Sequence, residues 1–297
     1  MRKSRFTTRM RTDRRSQYTY IEVTFNGRDG NICQGKLLID TGSINCIISK
    51  KFIEEYLDAC DINENEKIEI CSLGADSVVS NGIDFAFNIG EKTFKDTFYT
   101  NDSFNFMFNN SEFIGLVGSQ FLTENKLVIN YASMKIHEFK KEKNYDIQKY
   151  SFFFPMDYGL DRYGLPVVGI VNDEQEFLMV LDTGANQNLI TKHVIEEGAF
   201  ENQITGKMMS VGGVTGNEFD TTIRQMKFSI FSLGGDENQP KLCNHEELML
   251  VMDRSKYLLE VEDKSVNLEP VAGVISAVFL KKNKWILDFG NRVIYRK

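Results

Sequence analysis

The chain has 297 residues, 42% apolar and 12% aromatic, enough to bury the core of one large domain or two ordinary ones. Its net charge is −7, but Arg2, Lys3, Arg5, Arg9, Arg11, Arg14 and Arg15 against Asp13 make the first fifteen residues +6, so the rest carries −13. An acidic body argues against general nucleic-acid binding, and no apolar run nears the ~20 residues that span a bilayer, which argues against a membrane role.

The basic start has no apolar h-region and does not read as a secretory signal. Residues 1–17 are expected to be a solvated, disordered tail. Two sharper readings stay open. The segment is Arg- and Ser/Thr-rich like a transit peptide, and it is also suited to pair with acidic groups of the body as a detachable piece. Cys33, Cys46, Cys60, Cys71 and Cys243 are odd in number and form no C-x-x-C pair, which predicts free thiols in a reducing compartment. The cytoplasm is therefore the expected location, with an organelle left open by the basic start. No His/Cys cluster has zinc-ligand spacing, and His137, His193 and His245 are scattered and read as surface or cap residues.

Along the chain, Tyr20 to Phe25 alternates as a strand before the Asn26-Gly27 turn. Lys36 to Ile39 is a short strand running into Asp40-Thr41-Gly42-Ser43. Ser49 is placed to N-cap a helix carrying Phe52, Ile53, Tyr56 and Leu57 at helical spacing. Gly82 to Ile89 alternates again. Phe94, Phe98, Tyr99, Phe104, Phe106 and Phe108 read chiefly as core, with a share available to line apolar pockets. Leu116-Val117-Gly118 follows, then Asn125 to Tyr131. The charged stretch Lys140 to Asn144 closes a first unit, and a second begins near Tyr150.

The second unit repeats the first. Pro166 to Ile170 is its first clear strand, and Phe177 to Leu181 runs into Asp182-Thr183-Gly184-Ala185, 142 residues after the first motif. The echo stays in register from Ile48-Ser49-Lys50 to Ile190-Thr191-Lys192, with Thr191 as a second candidate N-cap. Thr222 to Phe231 alternates. Val274-Ile275-Ser276 answers Leu116-Val117-Gly118 at an offset of 158, so the second unit holds 16 extra residues. These are expected between Val211 and Leu250, where Gly234 to Asn238 reads as a long turn. Trp285 and Phe289 read as core of a closing strand.

Each motif residue supplies something definite. An aspartate at the end of an apolar strand is buried, where ionisation is costly. The glycine permits a tight turn whose N–H approaches the carboxylate. The threonine hydroxyl both donates and accepts, so it can tie one loop to the other. If symmetry brings Asp40 and Asp182 together, they share one proton and titrate as a pair. Such a pair performs general acid–base hydrolysis with a water nucleophile and without metal or cofactor.

The two Asp-Thr-Gly turns and the later apolar-apolar-Gly landmark resemble those of the aspartic peptidases of the pepsin/retroviral-protease superfamily, from about Tyr18 to Tyr295. The resemblance implies a mainly β fold of two pseudo-symmetric acid-protease-type β-barrel lobes with a few short helices, spanning 18–145 and 150–297. It implies Asp40 and Asp182 as the catalytic dyad, supported by Thr41, Gly42, Ser43, Thr183, Gly184 and Ala185. It further implies cleavage of an extended peptide or protein substrate by a monomer, since both motifs lie in one chain. In the family, a serine at position 43 can bond the carboxylate and favour its ionisation, whereas Ala185 cannot, and a working range from acidic to near-neutral pH is expected. Flaps are hairpins over the substrate, with Leu73, Gly74 and Ala75 and the segment Gly212, Gly213 and Val214 as candidates.

Departures from the family pattern also stand out. The 142-residue spacing is short for pepsin-like enzymes, and the compact units are closer to retroviral protomers. No tyrosine lies between Tyr56 and Tyr99 to serve the first flap. Ser276 replaces the landmark glycine, with Gly273 offering a shifted register. The plainer alternatives are two ordinary strand-ending turns, or an inactive peptide-binding or assembly module on the same fold.

Overall fold

A computed structural model describes residues 6–57, 62–72, 75–102, 113–138, 148–151, 165–172, 175–192, 195, 202–212, 218–232, 241–252 and 271–296. The protein is mainly β, with two barrel-like lobes and a few short helices. The chain opens with β1 (Thr7–Arg9) and β2 (Arg11–Thr12). The first lobe continues with β3 (Thr19–Asn26), β4 (Ile32–Ile39), β5 (Cys46–Ile48), β6 (Ile62–Ser72), β7 (Ala75–Ile89), β8 (Lys92–Thr100) and β9 (Phe113–Val117). Three strands follow: β10 (Leu127–Asn130), β11 (Lys135–Glu138) and β12 (Gln148–Ser151). The second lobe is built from β13 (Val167–Asn172), β14 (Gln175–Asp182), β15 (Asn188–Thr191), β16 (Asn202–Gly212), β17 (Glu218–Ser232), β18 (Lys241–Met252) and β19 (Val271–Ser276). The chain closes with β20 (Trp285–Asp288) and β21 (Val293–Arg296).

The two lobes have the same strand order. The first sheet runs β2-β3-β4-β9-β5-β8-β7-β6 and the second β13-β14-β19-β15-β18-β17-β16, and each is drawn closed by an added pairing, β3–β7 or β13–β17. The motif strands β4 and β14 lie parallel to β9 and β19. Strands buried on both faces read as continuous apolar runs, and Leu37, Leu38 and Ile39 are at most 1% exposed.

A third sheet, β1-β11-β10-β20-β21-β12, joins the halves. Its centre is the antiparallel pair β10–β20, in register at Val128↔Asp288, Ile129↔Leu287 and Asn130↔Ile286. Since Val128 and Ile286 hold equivalent places in the repeat, as do Asn130 and Asp288, the pseudo-two-fold axis passes by Ile129 and Leu287. This sheet sets the orientation of one lobe on the other.

Several expectations are corrected here. Residues 6–17 are not a solvated tail. β1 pairs with β11 and β2 with β3, while Met10 is 1% exposed and Phe6 sits edge-on to Phe94. The arginines point outward while Phe6 and Met10 point in, so the charge count hid an alternating strand. His245 is a buried side chain, set among the rings of Phe228, Phe279 and Trp285. The Ser49 cap forms, accepting from Phe52 N–H at 3.4 Å at the head of the helix Lys50–Tyr56. Thr191 ends β15 directly before the helical residue Lys192, the place its candidate cap requires. The extra residues of the second lobe are split. Tyr99 pairs with Ile47 and Leu250 with Leu189, so the offset has grown from 142 to 151 at that point, and the last seven residues lie beyond Leu250. Phe104, Phe106, Phe108, His193, Lys140 to Asn144 and Gly234 to Asn238 fall outside the described residues.

Candidate active site

Each motif turn wraps its own aspartate. Asp40 Oδ1 accepts from Gly42 N–H at 2.9 Å. Asp182 Oδ1 accepts from Gly184 N–H at 2.8 Å and Ala185 N–H at 2.9 Å. Behind the turns the repeat persists, with Ser119 N–H donating to Ser43 O at 2.8 Å and Ala277 N–H to Ala185 O at 3.0 Å.

The two turns are then crossed. Thr41 N–H donates to Thr183 Oγ1 and Thr183 N–H to Thr41 Oγ1, both at 3.0 Å. Thr183 Oγ1 donates to Ile39 O at 2.7 Å, and Thr41 Oγ1 donates to Leu181 O. Each hydroxyl thus reaches the carbonyl just before the opposite aspartate. All four groups are buried, so every one needs its partner.

This crossing sets the carboxyl groups of Asp40 and Asp182 beside each other, each against the glycine of the opposite motif. Both pKa values are raised, first by burial, and Asp40 is further raised by the neighbouring charge of Asp182. Asp40 rises well above the ordinary range, while the Asp40 carboxyl first, and then backbone N–H groups of Ala185, Gly184 and Gly42, restrain Asp182. The glycines complete the interlock. A β-carbon on Gly42 would stand closer than 3.0 Å to the Asp182 carboxyl, and one on Gly184 equally close to that of Asp40.

The supporting residues Thr41, Gly42, Thr183, Gly184 and Ala185 are therefore all drawn together around the pair. Ser43 differs from expectation, because its hydroxyl donates to Asn45 O at 2.8 Å and is turned from the carboxylate. Only its backbone N–H favours the Asp40 anion.

The landmark strands keep their register, so Gly273 does not shift it. Ile39 pairs with Val117 and Leu181 with Ile275, which makes Ser276 the equivalent of Gly118. Gly273 instead matches Gly115, and a β-carbon on either would strike the carbonyl of Leu189 or Ile47. Ser276 has its own compensation. Its N–H and hydroxyl both donate to Asn188 Oδ1 at 2.9 Å, and its Oγ caps the helix Ala277–Lys282. The residue equivalent to Asn188 is Cys46, whose buried thiol meets Asp96 Oδ2 at 3.6 Å. Burial first, and the Asp96 charge second, push that thiol well up and leave it an unreactive packing group.

The flap candidates fall on equivalent long hairpins. β6 and β7 pair up to Ser72↔Ala75, and β16 and β17 up to Gly212↔Glu218. Leu73, Gly74, Gly213 and Val214, which would form the tips, lie outside the described residues.

Two tyrosines were not foreseen. Tyr18 packs with Ile70 and Val78 of the first hairpin against Tyr20, Leu38, Ile47, Phe113 and Leu116. Its pKa is raised by burial first and then by the charges of Asp40 and Asp182. Tyr131 is 3% exposed and lies against Thr19 and Thr183 beneath the crossed turns, with no hydrogen-bond partner at full bonding distance. Burial raises its pKa. The equivalent residue of the second half is Phe289, so only the pseudo-symmetry could have singled it out.

Among the described residues, no group of three or more His, Cys, Asp or Glu side chains is arranged to hold a metal ion. Nor is any helix there long and apolar enough to cross a membrane. No protein-family model and no curated protein matches this sequence. Among solved structures, one described as the crystal structure of edgp is similar, with a TM-score of 0.57 over 99% of this chain and 94% of that chain. At 8% identity the likeness shows a distant relationship in fold alone.

Proposed function

We propose that this protein is a single-chain aspartic endopeptidase of the pepsin/retroviral-protease type. The observation that carries the reading is the adjoining buried pair Asp40–Asp182, clamped by reciprocal Thr41–Thr183 bonds. Two adjoining buried carboxyls cannot both ionise cheaply, so they hold one proton between them.

The backbone donors assign the roles. Asp182 has the better-stabilised anion, and it draws a proton from a water held against the pair. Asp40 holds the shared proton and gives it to the carbonyl oxygen of the scissile peptide. The water oxygen bonds to the carbonyl carbon, giving a tetrahedral diol. Asp182 then passes the proton it took from the water to the amide nitrogen while Asp40 takes back a hydroxyl proton of the diol, and the C–N bond breaks to release an amine and a carboxylic acid. The substrate is an extended segment held partly by main-chain hydrogen bonds, in the manner of an added strand. The long hairpins β6–β7 and β16–β17 are suited to cover it.

Among the described cysteines, Cys33 and Cys46 are free thiols, which supports a reducing compartment and a role in protein processing there. The decisive experiment incubates the protein with a diverse peptide mixture and compares it with Asp40→Asn and Asp182→Asn. Cleavage by the wild type alone is expected. Equal cleavage by the variants overturns the dyad, and tight capture without products makes the chain a binding module.

A further inference from the structure

A short turn ties the start of the chain to the second lobe beside the dyad. Gln17 N–H returns to Asp13 O at 3.0 Å, and Asp13 N–H reaches Tyr18 O at 2.9 Å. Gln17 adopts φ 64°, in the left-handed region that tight turns use. The turn then meets the second lobe twice, through Asn186 Nδ2 to Ser16 O at 3.3 Å and Lys281 Nζ to Gln17 O at 2.7 Å. Asn186 is four residues past Asp182, and Tyr18 lies near enough to both aspartates for their charges to raise its pKa. This corner therefore lies beside the dyad.

The corner gathers three cations, Lys281, Arg14 and Arg15, beside Asp13. Lys281 is half-buried, and among the described residues its ammonium bonds a single protein oxygen, the Gln17 carbonyl. Burial alone lowers its pKa to about 8, so it is charged in the acidic to near-neutral range. Arg14 and Arg15 are exposed on the same turn, and neither guanidinium forms an ion pair among the described residues. The acid of the turn is turned inward, with Asp13 Oδ1 accepting from Ser16 N–H at 2.8 Å, Ser16 Oγ at 2.9 Å and Arg15 N–H at 3.0 Å.

An ammonium carries three donors, and withdrawing it from water without a counter-charge is unfavourable. An arriving carboxylate supplies both the charge and the acceptors. Position narrows the choice further. Lys281 is five residues from Ser276, which pairs with Asp182, so its backbone lies roughly 7.5 Å along the helix from the dyad strand. An extended substrate advances about 3.3 Å per residue.

We propose that Lys281, flanked by Arg14 and Arg15, forms a subsite for an acidic side chain two to four residues from the cleaved bond. The body otherwise carries −13 and repels acidic peptides, so the preference is local to this corner. The inference rests on the peptidase reading for its position, and on the cation cluster for its chemistry.

The test takes one cleaved peptide and prepares variants with Glu or Gln at each position two to four residues either side of the bond. Cleavage is followed for the wild type, and binding of the labelled peptides is followed with Asp40→Asn. At low salt, Glu at one position is expected to raise kcat/KM about tenfold over Gln, mainly through KM. Lys281→Met should bring that ratio near one, Lys281→Arg should keep it, and the double change Arg14→Gln, Arg15→Gln should lower it in part. A Glu/Gln ratio of one in the wild type, or a ratio unmoved by Lys281→Met and by the double change, overturns the subsite. If no peptide is cleaved, the peptidase reading fails, and binding to Asp40→Asn still reads the Glu preference.

Discussion

Thr41 and Thr183 each donate a backbone N–H to the other's hydroxyl at 3.0 Å, so neither motif turn is complete without its partner. Replacing Thr41 by valine removes the acceptor for Thr183 N–H and the donor to Leu181 O. Two buried polar groups left unpaired cost about 2–6 kcal/mol together. Urea unfolding should show a loss of that size, along with loss of peptide cleavage. Thr41→Ser keeps the hydroxyl and should lose only about 1 kcal/mol. If valine and serine behave alike, the crossed bonds contribute nothing beyond packing.

Gly42 and Gly184 test the same interlock from its other side. Each glycine lies against the opposite lobe's aspartate, where a β-carbon has no room. Gly184→Ala must push Asp40 away from Asp182 or shift the turn. A displacement near 1 Å at a reacting group costs on the order of a hundredfold in rate. Steady-state assays should show at least that loss with kcat more affected than KM, while overpacking lowers stability by about 1–3 kcal/mol. An alanine variant with full activity would mean that close approach of the turns is not needed.

Much of this arrangement was readable from the chain, and the reason is duplication. Asp40-Thr41-Gly42 and Asp182-Thr183-Gly184 carry matched flanks, so the site could be placed before any coordinates, including a threonine tie between loops. Strands such as Tyr20 to Phe25 and Thr222 to Phe231 announced themselves by alternation, although β7 and β17 each extend to 15 residues. What stayed hidden depends on contacts between distant segments. Gly115 and Gly273 look like incidental strand glycines until β5 and β15 are laid across them. Met10 is one apolar residue among arginines, and only pairing with the third sheet buries it. The Ser43 hydroxyl had two acceptors within reach, and local loop geometry chose the Asn45 carbonyl.

The dyad also sets a pH signature. Burial raises both aspartates, and Asp40 is raised furthest. A carboxyl whose folded pKa lies above its unfolded value gives stability that is fully present below about 3.8 and lost as pH climbs through the folded value. Asn at position 40 resembles the protonated acid and does not titrate. The melting temperature of Asp40→Asn minus that of the wild type should therefore grow as pH rises from about 4. A constant difference across that range would show that the carboxyl titrates normally.

Tyr131 makes the last expectation, because its hydroxyl is buried beneath the crossed turns without a bonded partner. Its equivalent across the pseudo-axis, Phe289, fills the same kind of place with no hydroxyl and is fully buried. An unsatisfied buried hydroxyl carries a desolvation cost of about 1–3 kcal/mol, which its removal relieves. Tyr131→Phe should then leave the core packed and raise stability by about 1 kcal/mol in urea unfolding. A loss of similar size would show instead that the hydroxyl bonds Thr19 or Thr183 in solution. Comparing pH–rate profiles adds a second readout, since a hydroxyl bonded to Thr183 and removed from beneath the dyad would displace the profile, whereas an unbonded one leaves it in place.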